Sequence, residues 1–250
     1  PPSPKVIEAM SGVADTLNRY PDGTCPELTP IMAERIGVPE NTITWGGGST
    51  QLLTAIAEIS VAPGQNLVTP ELVWKRFHGV YKIVDAAVSW VPNKADGGID
   101  VEALTGAIGN DTRLLVCITP NNPTGMMLSE EEIRHVSENT PENVLLFMDE
   151  AYHEFAVHAG GPNALEIMRD RKGPWAITRT FSKAYAMAGV RLGYAICSSP
   201  ETVDAIRMVS STFNLNGFAE AAAVAALKDA DYTQFILDKN AEERDRIVEG

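Results

Sequence analysis

Two hydrophobic periods alternate along this chain, and that alternation restricts its fold more than any other feature. Short apolar runs read as buried strands: "NLVT" (66–69), "AAVSWV" (86–91), "RLLVCIT" (113–119), "NVLLFMD" (143–149), "WAITRTF" (175–181) and "RLGYAIC" (191–197). Between and beyond them lie stretches with helical spacing: "STQLLTAIAEIS" (49–60), "SEEEIRHVSEN" (129–139), "SPETVDAIRMVS" (199–210) and "GFAEAAAVAALKDA" (217–230). Ser129 with Glu132 three residues on is a capping-box pattern for the second of these. Strands separated by helices predict an α/β fold, a largely parallel sheet with helices on both faces. Two regions stand outside the alternation. Residues 1–40 hold a helix ("PKVIEAMSGVADTL"), a turn ("RYPDGTCPE") and a second helix, with no clear strand. Residues 231–250 read as a long amphipathic helix running to Gly250.

In an open parallel sheet, ligands bind beyond the carboxyl ends of the strands. Four segments are expected to meet on that edge: "GGGST" (46–50), "PNNPTG" (120–125), "DEAY" (149–152) and "FSK" (181–183). Glycines ahead of Ser49 and Thr50 at a helix start offer backbone N–H groups and a helix dipole to a phosphate, or form an ordinary turn and N-cap. Asn121 and Asn122 are turn formers, or amides aimed into the cleft. Asp149 directly follows an apolar run, so its carboxylate needs a partner. That partner is either a structural ion pair or cap, or a protonated ring nitrogen. Glu150 reads as structural. Lys183 lies in "RTFSKAYAMAGVRLGY", a stretch otherwise suited to burial, so it is either a snorkelling surface residue or there to react. A partly desolvated lysine near a cation is a nucleophile toward carbonyls. Arg191, with the hydroxyls of Thr180 and Ser182, suits a phosphate. An amine, a phosphate site, a buried carboxylate and an amide donor together match pyridoxal 5′-phosphate.

Composition narrows the alternatives. The formal net charge is −13, from 33 acidic against 20 basic residues, which argues against nucleic acid and anionic membranes as partners. No run approaches the roughly 18 apolar residues of a membrane span, and "PPSPKVIEAM" has neither the charged start nor the apolar run of a signal peptide. A start at Pro1 reads as a processed or trimmed chain. Cys25, Cys117 and Cys197 are far apart and form no CxxC, which suggests reduced, buried thiols of a cytoplasmic protein. The four histidines have no metal-ligand spacing.

The motifs "NRYPD", "PNNPTG", "DEAYHEF" and "RTFSKAYAMAGVRLGY" occur in an order and spacing that resembles the class I/II, fold-type I pyridoxal-phosphate aminotransferases. The resemblance is strongest to the histidinol-phosphate aminotransferase subgroup and its aromatic aminotransferase relatives, and it runs from "PPSPKVIEAM" to about Ala230. It implies a mostly parallel seven-stranded sheet. Residues 1–40 would belong to the small domain and the dimer contact, 41–230 would be the large cofactor-binding domain, and 231–250 would begin the helix leading to a C-terminal domain missing here. It also implies roles. Lys183 would form the Schiff base and shuttle a proton. Asp149 would keep the pyridine nitrogen protonated. Asn122 and Tyr152 would donate to the phenolic oxygen, Tyr152 with a catalytic part beside Lys183 and Asp149. Thr180, Ser182, Arg191 and the backbone at Ser49 and Thr50 would hold the phosphate. Trp74 would stack on the ring or be a core residue. Tyr20 would reach the phosphate of the neighbouring subunit in a homodimer.

The sequence departs from the family pattern in three places. Gly47 stands where an asparagine is common, which a backbone-mediated site tolerates. The usual acidic residue near Gln51 is absent, which is expected to alter contacts near the phosphate or substrate. The chain stops at Gly250, short of the small domain whose arginine grips a substrate carboxylate, so no residue is assigned that task. The expected activity is transfer of an amino group from an amino acid, glutamate being the usual donor. The acceptor would be a 2-oxo acid or a phosphorylated ketone such as imidazole acetol phosphate. The rival readings are a decarboxylase or lyase on the same scaffold and a truncated, non-catalytic paralogue. A nucleotide-binding Rossmann protein fails for want of GxGxxG.

Overall fold

The computed structural model describes residues 1–249. Its centre is one seven-stranded sheet: β1 (Ile43–Gly46), β2 (Asn66–Pro70), β3 (Ala87–Val91), β4 (Thr112–Ile118), β5 (Leu145–Asp149), β6 (Trp175–Thr180) and β7 (Gly193–Cys197). The spatial order is β1-β7-β6-β5-β4-β2-β3, and β7 alone runs antiparallel to its neighbours, β1 and β6. The six strands read from apolar runs are present, with ends shifted by a residue or two. The seventh strand, β1, is only "ITWG".

Helices α1 (Pro4–Gly12) and α2 (Leu28–Ile36) precede the sheet, and α3 (Ser49–Ser60), α4 (Arg76–Ile83) and α5 (Val101–Gly106) connect its first strands. Helices α6 (Glu130–Asn139), α7 (His153–His158), α8 (Ala164–Met168), α9 (Pro200–Val209), α10 (Ala219–Leu227) and α11 (Ala230–Glu249) complete the chain. Gly250, the last residue of the expected terminal helix, lies outside the described residues. Side chains alternate across each strand, so every central strand feeds two cores. Leu115, Cys117, Leu146 and Met148 face one cluster, with Met32, Ile133, Val136 and Ala222 from α2, α6 and α10. Leu114, Val116, Leu145 and Phe147 face the other, with Leu52, Ile56, Phe77 and Ile206 from α3, α4 and α9. Burial on both faces is why these strands read as continuous apolar runs rather than alternating ones.

The helix signals have local causes. Ser129 accepts from the Glu132 amide at 3.1 Å while Glu132 accepts from the Ser129 amide at 2.9 Å, closing the capping box of α6. Pro4 and Pro200 sit at the starts of α1 and α9, where the missing N–H has no partner to lose. All three cysteines are buried and free, and burial pushes the thiols of Cys117 and Cys197 up to about 12. Among the described residues, no helix is long and apolar enough to cross a membrane.

Candidate active site

The strand register brings the four motifs to one edge. Ile118 pairs with Asp149, Asp149 with Thr178, Thr180 with Gly193 and Gly193 with Gly46. The ends of β4, β5, β6 and β1 therefore lie side by side, joined there by the start of antiparallel β7. A cleft of about 260 Å³ opens at this edge. Its lining includes Ser49, Thr50 and Trp74 on one side and Asn122, Asp149 and Tyr152 on another. Thr180, Ser182, Lys183 and Arg191 complete the expected set apart from Tyr20.

Asp149 forms the floor. It is 7% exposed, and its Oδ1 accepts from Thr178 Oγ1 at 3.0 Å. Burial pushes its carboxyl up to about 6, against the pull of Thr178, the Ala151 amide and Lys183. Its neighbour Glu150 points the other way and is structural. The Arg179 guanidinium approaches its Oε2 at 2.8 Å, and both side chains are buried. Burial alone would raise Glu150, but Arg179 and His153 hold it down at about 2.

The two asparagines of "PNNPTG" separate into two tasks. Asn121 is buried, and its amide donates to the Leu72 carbonyl at 2.8 Å and to Thr124 Oγ1 at 3.1 Å. That ties this loop to the segment carrying Trp74. Asn122 faces the cleft and donates to Tyr152 Oη at 3.4 Å. Trp74 is 41% exposed at the cleft wall, which excludes the core reading for it.

Lys183 differs from its expected desolvation. It is exposed to the cleft, with Nζ 5.1 Å from the centroid of the Tyr152 ring, while Phe181, Ala184, Tyr185 and Met187 around it are buried. The apolar character of its stretch belongs to those neighbours. The loop turns the Lys183 side chain outward.

Arg191 and the glycine loop form a cradle. Arg191 has φ +57°, a left-handed conformation that is rare for a non-glycine residue and marks a positional constraint. Its Nη1 donates to the Ala188 carbonyl at 2.8 Å and to Ser182 Oγ at 3.4 Å. Ser182 Oγ also accepts from Thr180 Oγ1 at 3.0 Å. Gly48 has φ +82°, and a Cβ there would collide with the Arg191 guanidinium. A Cβ at Gly193 would collide with the Ser49 amide nitrogen. These glycines let the N-terminus of α3, the guanidinium and the hydroxyls of Thr180 and Ser182 converge, a donor set suited to an anion.

Tyr20 lies elsewhere. It is 78% exposed and stacks on Phe213, with ring centroids 4.0 Å apart. Sequence reasoning missed Phe77, Ile118, Ala151 and Ala188, which also line the cleft. Ala151 was the legible one, lying inside "DEAY"; the apolar residues carried no local signal.

Comparison with known proteins agrees with this geometry. The family model for aminotransferase class I and II matches residues 1–250. Histidinol-phosphate aminotransferase 1 of Nitrosococcus oceani is 39% identical over 233 residues, covering 93% of this chain and 62% of the relative. An aromatic amino acid aminotransferase of Thermobifida fusca is 36% identical over 249 residues, covering 98% and 68%. The crystal structure of histidinol-phosphate aminotransferase from Sinorhizobium meliloti, in complex with pyridoxal-5′-phosphate, superposes with a TM-score of 0.91 at 32% identity. That match covers 98% of this chain and 66% of the other. The chain thus spans somewhat under two thirds of the length of these two histidinol-phosphate aminotransferases. With a full-length family match and an edge of the sheet built as the motifs required, the chain belongs to the aminotransferase class I and II family.

Proposed function

We propose that this chain is the cofactor-binding part of a pyridoxal-phosphate-dependent aminotransferase. It would move an amino group between an amino acid donor, glutamate being the expected one, and a 2-oxo acid or an imidazole acetol phosphate-like ketone. The observation that carries this reading is the convergence of Lys183, Asp149, the Asn122–Tyr152 pair and the Arg191–Ser182 cradle on one cleft. The residues fit the cofactor at both ends. A buried carboxylate at the floor suits a protonated ring nitrogen, and the glycine-lined cradle suits a phosphate.

When bound, pyridoxal phosphate supplies an aldehyde that captures amines and a ring that draws electron density from the substrate Cα. Lys183 would offer the amine for that aldehyde and would hold and return the proton at the substrate Cα. Asp149 holds a proton on the ring nitrogen. Asn122 and Tyr152 would donate to the phenolic oxygen, and Trp74 would stack on the ring. Ser182, Thr180, Arg191 and the backbone at Ser49 and Thr50 fix the phosphate. Tyr20 serves the phosphate of a neighbouring subunit, in a homodimer with shared sites. On this reading residues 1–40 are a contact segment, 41–230 the large domain and 231–250 the start of a connecting helix. The enzyme works in the cytoplasm.

The test is the visible spectrum of the chain with added pyridoxal phosphate, wild type beside Lys183→Ala, before and after borohydride. A yellow, borohydride-trapped adduct in the wild type alone supports the reading, and bleaching by amino donors separates transamination from lyase chemistry. Identical spectra from both proteins would sink it in favour of a non-catalytic paralogue.

A further inference from the structure

The glycine loop has to be held by something other than its own side chains. Gly47 and Gly48 have none, and glycine loses more conformational freedom on ordering than any other residue. Yet the cradle needs Gly48 at φ +82° against the Arg191 guanidinium.

Gln51, in the first turn of α3, meets that need. Its Oε1 accepts from the Gly47 amide at 2.6 Å and from Asn214 Nδ2 at 3.2 Å. Asn214 Nδ2 also donates to the Trp45 carbonyl at 3.2 Å. On the other side of the same residue, Arg191 Nη2 donates to the Gly47 carbonyl at 3.4 Å. Gly47 is thus gripped from both ends, its N–H by Gln51 and its carbonyl by Arg191. Rotation of the Gly47–Gly48 peptide plane would take this acceptor away from the guanidinium. Ser49 and Thr50 line the cleft, but Gln51 does not. Its side chain turns back to the loop, so it acts through Gly47 rather than on a ligand.

We propose that Gln51 is a positioning residue, whose side-chain oxygen fixes Gly47 and Asn214 at one point and so sets how tightly the phosphate end of pyridoxal phosphate is held. The inference rests on the cofactor reading above. The requirement at this position is an acceptor oxygen, which an amide meets as well as a carboxylate. Leucine at the same place would leave the Gly47 N–H without its partner.

The test uses the full chain and two ligands that differ only in phosphate, pyridoxal phosphate and pyridoxal, titrated by absorbance. Loss of a hydrogen bond that leaves its partner unmet predicts that Gln51→Leu weakens pyridoxal phosphate about tenfold and pyridoxal by less than about twofold. Gln51→Glu keeps the acceptor and is expected to retain affinity within about threefold of wild type. Asn214→Ala provides a second variant should Gln51→Leu not fold, and is expected to show the same selective loss. The ligand-free melting temperature reports folding in each case. The inference is overturned if neither Gln51→Leu nor Asn214→Ala changes the ratio of the two affinities, or if both ligands weaken equally. A wild-type chain that binds pyridoxal and its phosphate equally poorly overturns the cofactor reading itself, and this inference with it.

Discussion

At Asp149, function and stability pull against each other. Its carboxyl titrates at about 6 in the folded, ligand-free chain, above the model-peptide range, chiefly because burial disfavours the charge. As pH rises past the unfolded value and through the folded one, the unfolded chain releases this proton more readily. The fold is weakened by on the order of 3 kcal/mol once both states are ionised. Asp149→Asn keeps an acceptor for Thr178 and removes the charge. It is expected to raise the ligand-free melting temperature by several degrees more at about pH 8 than at about pH 5. Equal shifts at the two pH values would assign the titration to another group. Gly48→Ala tests the cradle directly. A Cβ forced against the guanidinium at positive φ is expected to cost about 1–3 kcal/mol, and phosphate-bearing ligands should bind more weakly by titration. Much of this chemistry was legible, because Asn122, Asp149, Lys183 and Arg191 each follow or flank an apolar run. Whether Lys183 lies at the surface or desolvated was not, since composition does not say which residue of a buried stretch turns outward. The division between Asn121 and Asn122 came from the resemblance alone, since it depends on Leu72 and Tyr152, both distant in sequence.

Among the elements, α6 offers the simplest check on local causes. Removing the reciprocal cap with Ser129→Ala should lower stability by about 1 kcal/mol in denaturant unfolding. The Glu150–Arg179 pair ties the end of β5 to β6, and its loss is expected to be harsher. Arg179→Leu leaves the buried Glu150 carboxylate without its guanidinium and should destabilise by about 3–5 kcal/mol. The double variant Glu150→Leu with Arg179→Leu should recover part of that, a result that simple loss of packing would not give. Strand β1 escaped the sequence pattern because four residues ending in glycine are too short to show a period. The direction of β7 escaped it for a different reason. A strand buried on both faces has the same composition whichever way it runs, so "GYAIC" carries no mark of its antiparallel setting.

For the molecule as a whole, one group of exposed apolar side chains lies outside the cleft. Tyr20 stacks on Phe213, Leu17 lies against Gly217, and Met208 and Val209 are exposed a few residues away in sequence. On the homodimer proposed above, an apolar surface of this kind is the expected contact. Phe213→Asp is therefore expected to shift the mass measured by sedimentation toward the monomer, with the melting temperature little changed. An unchanged mass would place the contact elsewhere. The antiparallel strand has a last consequence. Because β7 runs back beside β6, the loop from Phe181 to Leu192 leaves and re-enters the sheet at neighbouring positions, closed by the Phe181 amide on the Leu192 carbonyl at 3.1 Å. Lys183 and Arg191 both ride on that loop, so the amine and the anion anchor are inherited as one cassette. A length change between the two would disturb their mutual spacing. A transplant of the whole hairpin would carry both groups together, leaving Asp149 and Asn122 as the features that a recipient sheet must supply.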